Sequence, residues 1–217
     1  MQGGKSIADI RRDYRLQSLS ESDVAPDAVA QFSAWWTDVL ASEIVEPNAM
    51  TLATASADGI PSARVVLLKG FDEKGFVFFT NYSSFKGVQL QENPRACLVF
   101  FWKEVERQVR IMGLIEKVSE QESDEYFHSR PQGSRIGAIV SPQSQVIESR
   151  EWLEAKVAAT NEQLLAGKNI ERPTHWGGYR VKPAIVEFWQ GRPNRLHDRL
   201  QYSLQDNGAW KIERLAP

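Results

Sequence analysis

Four segments of this chain set cations beside turn or capping residues, and each could hold an anion. The first is Arg64–Lys69 (RVVLLK), four apolar residues flanked by two cations. In a strand, alternation puts Arg64 with Val66 and Leu68 on one face and Lys69 with Val65 and Leu67 on the other. That is either a core strand with two solvated charges or two anion contacts, one per face. The second is Thr80–Lys86 (TNYSSFK), where a strand runs into a polar turn and Ser83 or Ser84 can cap a helix carrying Lys86. A helix N-terminus offers free N–H groups and partial positive charge, which suits phosphate. Any capped helix shares this feature, so the signal is weak alone.

The third segment is Tyr126–Ser134 (YFHSRPQGS). Tyr126 and Arg130 stand four apart and share a helical face, and Ser134 is placed to cap the next helix. A phenol, a guanidinium and a helix N-terminus could converge on one phosphate through charge-assisted bonds. The plain alternative is a helix–helix turn with a surface arginine. The fourth runs from Phe188 to Arg199, with Gly191–Asn194 as a turn between two strands. On the second strand Arg195, His197 and Arg199 alternate onto one face. Three potential cations in a row repel one another unless an anion or water lies between them.

The rest of the composition narrows the classes. Formal net charge over 217 residues is -2, so there is no whole-protein field to attract nucleic acid, and cationic sites must be local. No G-x-G-x-x-G, Walker A or G-x-S-x-G pattern occurs. Three histidines and one cysteine give no metal-ligand spacing, so no metal is expected. Asp198 adjoins His197 and points to the opposite strand face, which disfavours a triad. Cys97, within an apolar run, is expected to be a buried structural thiol. No apolar stretch reaches the roughly 20 residues of a membrane helix, and no signal peptide is evident. A cytoplasmic protein is expected.

The elements that must position these residues follow from periodicity. A short polar helix or arm is expected over 6–15 and a linker over 18–26. A helix follows with Pro26 or Asp27 in its first turn and Val29, Phe32, Trp36, Val39 and Leu40 on one face. Short runs rich in Val, Phe and Thr predict strands over 50–54, 64–69, 76–80, 96–102 and 108–118. Their short links favour an antiparallel meander or Greek key. Ser119 and Glu122 form a capping box opening a helix that Pro131 and Gly133 break. Further helices are expected from Ser134 and over 150–165, the latter stopped by Gly167. Strands return over 184–190, 195–202 and 209–214. This is an α+β chain, read as a small barrel with packed helices.

Taken together, the segments resemble the pyridoxamine 5′-phosphate oxidase family. The matching runs include Arg64–Lys69, ERQV at 106–109, YFHSRP at 126–131, Gln143–Ser144, Trp176–Gly178, EFWQG at 187–191, RLHDR at 195–199 and the terminal WKIERLAP. The resemblance implies a split β-barrel that binds FMN at a homodimer interface. It implies oxidation of pyridoxamine 5′-phosphate and pyridoxine 5′-phosphate to pyridoxal 5′-phosphate, with dioxygen as acceptor and hydrogen peroxide as product. For FMN it implicates Arg64, Val65, Val66, Leu67, Leu68, Lys69, Phe79, Thr80, Phe85, Lys86, Gln108, Gln143, Ser144, Trp189 and Arg199. For substrate it implicates Lys69, Tyr126, Arg130, Ser134, Arg195 and His197, the last two as catalytic residues. Residues 1–25 become an arm and linker, with Arg11–Tyr14 resembling a segment that closes over substrate, and 26–217 one FMN-binding domain. Phe85 stands where arginine is common in the family, and Phe79 where tyrosine is common. Two alternatives stay open: another split-barrel flavin oxidoreductase using a nicotinamide donor, or a non-catalytic carrier of FMN or pyridoxal phosphate.

Overall fold

The computed structural model describes residues 6, 7, 13–167 and 169–217. Of the sequence-predicted site, Arg11 lies outside them. Five α-helices and nine β-strands are described: α1 (Ala28–Leu40), β1 (Ala49–Ala55), β2 (Pro61–Leu67), β3 (Gly70–Asp72), β4 (Gly75–Asn81), α2 (Phe85–Glu92), β5 (Arg95–Trp102), β6 (Arg107–Lys117), α3 (Glu120–Ser129), α4 (Gln132–Val140), α5 (Arg150–Leu165), β7 (Trp176–Gln190), β8 (Asp198–Leu204) and β9 (Trp210–Arg214). Hydrogen-bonded strand order is β2-β1-β5-β6-β7-β4-β3, with β8 on β7 and β9 on β8. The β1–β2, β3–β4, β4–β7, β7–β8 and β8–β9 pairs are antiparallel, in line with the expected α+β class.

The chain divides into two compact units. One comprises 1–47, 99–111 and 184–217. Its core is aromatic: Phe32, Trp35, Phe100, Trp102, Phe188 and Tyr202 are all buried. Asp27 caps α1 by accepting from the N–H groups of Val29 and Ala30, so Pro26 precedes the helix rather than opening it. The buried stripe is Ala28, Gln31, Phe32, Trp35 and Val39. Leu40 is exposed, which corrects the expected face. Arg107 packs against the buried face at Trp35. Its buried guanidinium sits over the Trp35 ring at 4.4 Å and pairs with Asp38 at 2.8 Å.

The other unit comprises 48–98 and 112–183. In β1 the buried positions alternate as Met50, Leu52 and Thr54. The Ser119–Glu122 capping box opens α3. Gly167, at φ +87°, closes α5 by donating its N–H to the Leu164 carbonyl. Cys97 is half-buried, not fully buried as expected.

Three local expectations are corrected, each at a proline or a change of strand partner. Arg130 follows α3 at φ -75°, ψ 148°, because the residue before a proline is driven out of the helical region. Pro131, with no acceptor side chain, therefore precedes α4, and Ser134 and Gly133 lie inside that helix. Arg195 and His197 lie before β8, not in it. Pro193 opens a 3-10 turn whose Asn194 and Arg195 take left-handed φ values of 58° and 63°. Finally, β2 ends at Leu67. Leu68 N–H bonds to Asn48 O and Lys69 N–H to Val77 O, both at 2.8 Å, so the chain changes partner between those two residues.

Candidate active site

That change of partner decides how the cations meet. Alternation would have sent Arg64 and Lys69 to opposite faces, but both line one cavity of about 500 Å³. Its wall also includes Val65, Val66, Leu67, Phe79, Thr80, Asn81, Lys86, Tyr126, Arg130, Pro131, Ser134, Gln143 and Trp176. Among the described residues, four cations and no carboxylate line this space. Its size is that of a small-molecule or cofactor pocket.

Each cation is held by an identifiable element. Ser84 caps α2 by accepting from Gly87 N–H, which turns the next residues so that Lys86 reaches back across the helix start. Its Nζ lies 2.7 Å from Gln143 Oε1 and 3.2 Å from Thr80 Oγ1. Burial, and then the neighbouring Arg64 charge, lower the Lys86 pKa to about 8. Arg64 is clamped from behind, donating to Thr54 Oγ1 and Ser62 Oγ at 2.6 Å each. Burial lowers its pKa as well. Arg130 Nη1 is buried and has no hydrogen-bond partner. Burial lowers the pKa of this guanidinium too. A desolvated guanidinium with an unfilled donor, as at Arg130, is in an arrangement that an anion completes.

An aromatic stack runs beside the cations. The Phe79 ring lies 4.0 Å from Tyr126 and 5.5 Å from Trp176, nearly parallel to both. Lys69 lies 5.9 Å from the Tyr126 centroid and Arg130 4.6 Å from that of Trp176. The stack depends on β7 being glycine opposite β4. Gly178 pairs with Phe79, and a Cβ there would come within 2.8 Å of the Phe79 ring.

The first unit holds a second cluster. His197 lies 4.6 Å from the Trp189 ring, and Tyr14 lies 5.7 Å from Trp189 and 6.0 Å from His197. His197 Nδ1 accepts the Arg192 N–H at 3.1 Å, so the neutral ring carries its proton on Nε2. Burial and the nearby Arg195 charge lower the His197 pKa and favour that neutral form. Arg195 itself is exposed. Arg199 donates to the buried Glu187 carboxylate at 2.8 Å and to Ala216 O at 2.7 Å.

The sequence-predicted residues therefore separate into groups. Arg64, Val65, Val66, Leu67, Lys69, Phe79, Thr80, Lys86, Gln143, Tyr126, Arg130 and Ser134 line the cavity. Leu68 is buried and outside the wall, and Phe85, at the first position of α2, is 58% exposed and also not part of it. Ser144 is exposed at φ 72° and also outside the wall. Gln108, Trp189, Arg199, Arg195, His197 and Tyr14 belong to the first unit. Asn81, Pro131 and Trp176 are wall residues to which the residue patterns gave no role; Thr54 and Ser62, which accept from Arg64 but are outside the wall, were not singled out either. A buried threonine on the apolar face of β1 was the legible sign of the last pair.

Comparison with known proteins bears on this geometry. Residues 36–164 match the family described as pyridoxamine 5′-phosphate oxidase. Residues 176–217 match a pyridoxine 5′-phosphate oxidase C-terminal dimerisation region. The chain belongs to the pyridoxamine 5′-phosphate oxidase family.

Among its relatives, a pyridoxine/pyridoxamine 5′-phosphate oxidase of Nostoc punctiforme is 59% identical, covering 98% of this chain and 99% of the relative. One from Cupriavidus metallidurans is 55% identical, covering 97% and 99%. A solved structure of PhzG from Burkholderia lata, in complex with tetrahydrophenazine-1-carboxylic acid, is 32% identical with TM-score 0.86, covering 93% and 99%. An oxidase-related FMN-binding protein from Nostoc punctiforme shares the fold at 19% identity and TM-score 0.70, covering 88% and 99%. The split β-barrel expectation is borne out. As a member of this family the protein is an oxidoreductase with FMN as its cofactor. The cavity, with Arg64 and Lys86 in its wall and no carboxylate among the described residues that line it, suits the phosphate of that group.

Proposed function

We propose that this protein oxidises pyridoxamine 5′-phosphate and pyridoxine 5′-phosphate to pyridoxal 5′-phosphate, reducing dioxygen to hydrogen peroxide, the amine also taking up water and releasing ammonia. The observation that carries the reading is the cavity itself, which has more cations than one phosphate needs. Arg64, Lys86, Thr80 and Gln143 would hold the FMN phosphate. Lys69, Tyr126, Arg130 and Ser134 would clamp the phosphate of the substrate, leaving two anions for four positive groups. When bound, FMN supplies the redox chemistry, taking two electrons from the substrate and passing them to dioxygen.

The chain's own residues bind and orient. Arg195 would hold the substrate ring through its guanidinium. His197, neutral with its proton on Nε2, would donate a hydrogen bond. Trp189 and Arg199 complete the proposed FMN contacts, with Gln108, Ser144, Phe85 and the backbone of 65–68. Holding donor and acceptor in contact is where most of the rate arises. Tyr14 and the arm around it would close over the substrate. A homodimer with FMN at the subunit interface and a cytoplasmic location complete the proposal. The relatives' names and the matched dimerisation region support it. Among the described residues no helix is long and apolar enough to cross a membrane.

The test is an anaerobic visible spectrum of the purified protein before and after pyridoxine 5′-phosphate. Bleaching of the flavin band, with return in air, is the expected result. A band that persists with this substrate but bleaches with a nicotinamide donor would transfer the assignment to a different oxidoreductase of the same fold. A band that neither compound bleaches would indicate a carrier.

A further inference from the structure

Gln89 belongs to no assigned set of site residues, yet it closes the hydrogen-bond network behind Arg64. The register of β1 and β2 sets Leu52 opposite Arg64 and Thr54 opposite Ser62. Arg64 Nη1 donates to Thr54 Oγ1, and Nη2 to Ser62 Oγ, at 2.6 Å each. A guanidinium only donates, so both hydroxyls must accept from it and place their own protons elsewhere. Both protons go to one atom: Gln89 Oε1 accepts from Thr54 Oγ1 at 2.6 Å and from Ser62 Oγ at 2.7 Å. Gln89 comes from α2, the helix that also carries Lys86, and is 2% exposed. With Oε1 committed in this way, its Nε2 is buried without a partner. An unfilled buried donor is costly, and here it accompanies an acceptor that locks two hydroxyl rotors and, through them, one guanidinium plane.

We infer that Gln89 is a positioning residue for cofactor binding: through Thr54 and Ser62 it fixes the Arg64 guanidinium for the FMN phosphate. Leu52 O takes a third, longer bond from Nη1 at 3.3 Å, and the remaining Arg64 N–H groups are left for the cavity. The inference rests on the reading that Arg64 holds that phosphate.

The experiment is titration of full-length apoprotein with FMN and with riboflavin, which lacks the phosphate, followed by flavin fluorescence. Gln89→Met keeps the volume and removes the acceptor. It should raise the FMN Kd roughly tenfold, the loss of about one charge-linked hydrogen bond, and leave the riboflavin Kd unchanged. On an Arg64→Ala background the same substitution should change the FMN Kd by less than about twofold, because coupled residues are non-additive. Thr54→Val should reproduce the phosphate-specific loss, and it decides the matter if Gln89→Met does not fold. An equal loss for FMN and riboflavin, or a full effect without Arg64, would overturn the positioning role alone. An Arg64→Ala variant with normal FMN affinity would remove the phosphate reading, and this inference with it.

Discussion

Replacing Lys86 by methionine should weaken FMN binding and abolish its pH dependence on the alkaline side. In the free protein, burial and Arg64 hold the Lys86 pKa at about 8 rather than the ordinary 10.5. A bound phosphate favours the charged amine, so FMN affinity is full below that value and falls as pH rises through it. The fall should approach roughly tenfold per pH unit, one proton being taken up on binding. The FMN phosphate contributes no slope there, because its second pKa is near 6. Removing the ammonium deletes a charged hydrogen bond of about 1.5–3 kcal/mol, which is roughly 10- to 150-fold in Kd. Folding has the opposite sign. A lysine whose pKa is lowered on folding opposes folding while protonated, and that cost disappears as pH rises from about 8 towards 10.5. Apoprotein stability relative to Lys86→Met should therefore rise over the window in which FMN affinity falls. Fluorescence titrations from about pH 7 to about pH 9.5, with denaturant melts of both apoproteins, read both trends. A wild-type Kd that stays flat through this range, or a variant retaining the slope, would refute the assignment of that charge to Lys86.

Four further outcomes are expected. Arg195→Ala should lose most turnover while retaining FMN, read by kinetics and by the flavin spectrum; a colourless variant would reverse the assignment. Arg130→Ala should raise the KM for pyridoxine 5′-phosphate roughly 10- to 100-fold with little change in kcat, from the loss of one charged contact, and a normal KM would leave Arg130 as a surface charge. Phe85→Arg should tighten FMN by about 1.5–3 kcal/mol if its guanidinium reaches the phosphate; unchanged affinity would show that α2 points this position away. Glu106, 2% exposed, accepts the N–H groups of Arg15 and Leu16 at 2.8 and 3.0 Å. Glu106→Ala should free the segment around Tyr14 and speed tryptic cleavage after Arg15, whereas cleavage at the wild-type rate would mean that other contacts hold the arm.

The cation-bearing segments could be read because their chemistry is local. Ser84 caps α2 through the Gly87 N–H three residues on, and the apolar run after Arg64 forms a strand as far as Leu67, both being interactions of neighbouring residues. Their meeting could not be read. Alternation separated Arg64 from Lys69, and only the exchange of partners at Leu68 and Lys69, from Asn48 O to Val77 O, brought both to one cavity. At Arg130 the local rule was available and pointed away from the helix: a proline follows, so the residue leaves α3 and its side chain meets Trp176. The row Arg195, His197, Arg199 failed for a similar reason, since Pro193 and two left-handed residues replace the start of a strand.

What the amino-acid order determined alone was therefore the caps of α2 and α3, most of the strand periods, and the kind of ligand that such cations suit. Those depend on interactions within a few residues. The tertiary structure decided which cations share a cavity, and that the Thr54–Ser62–Gln89 network stands behind one of them. It also decided that glycine at 178 leaves room for the Phe79 ring. Each of these is a contact between strands or helices far apart in the chain. Their register is set by burying one face of a sheet, a condition that no short stretch of sequence states.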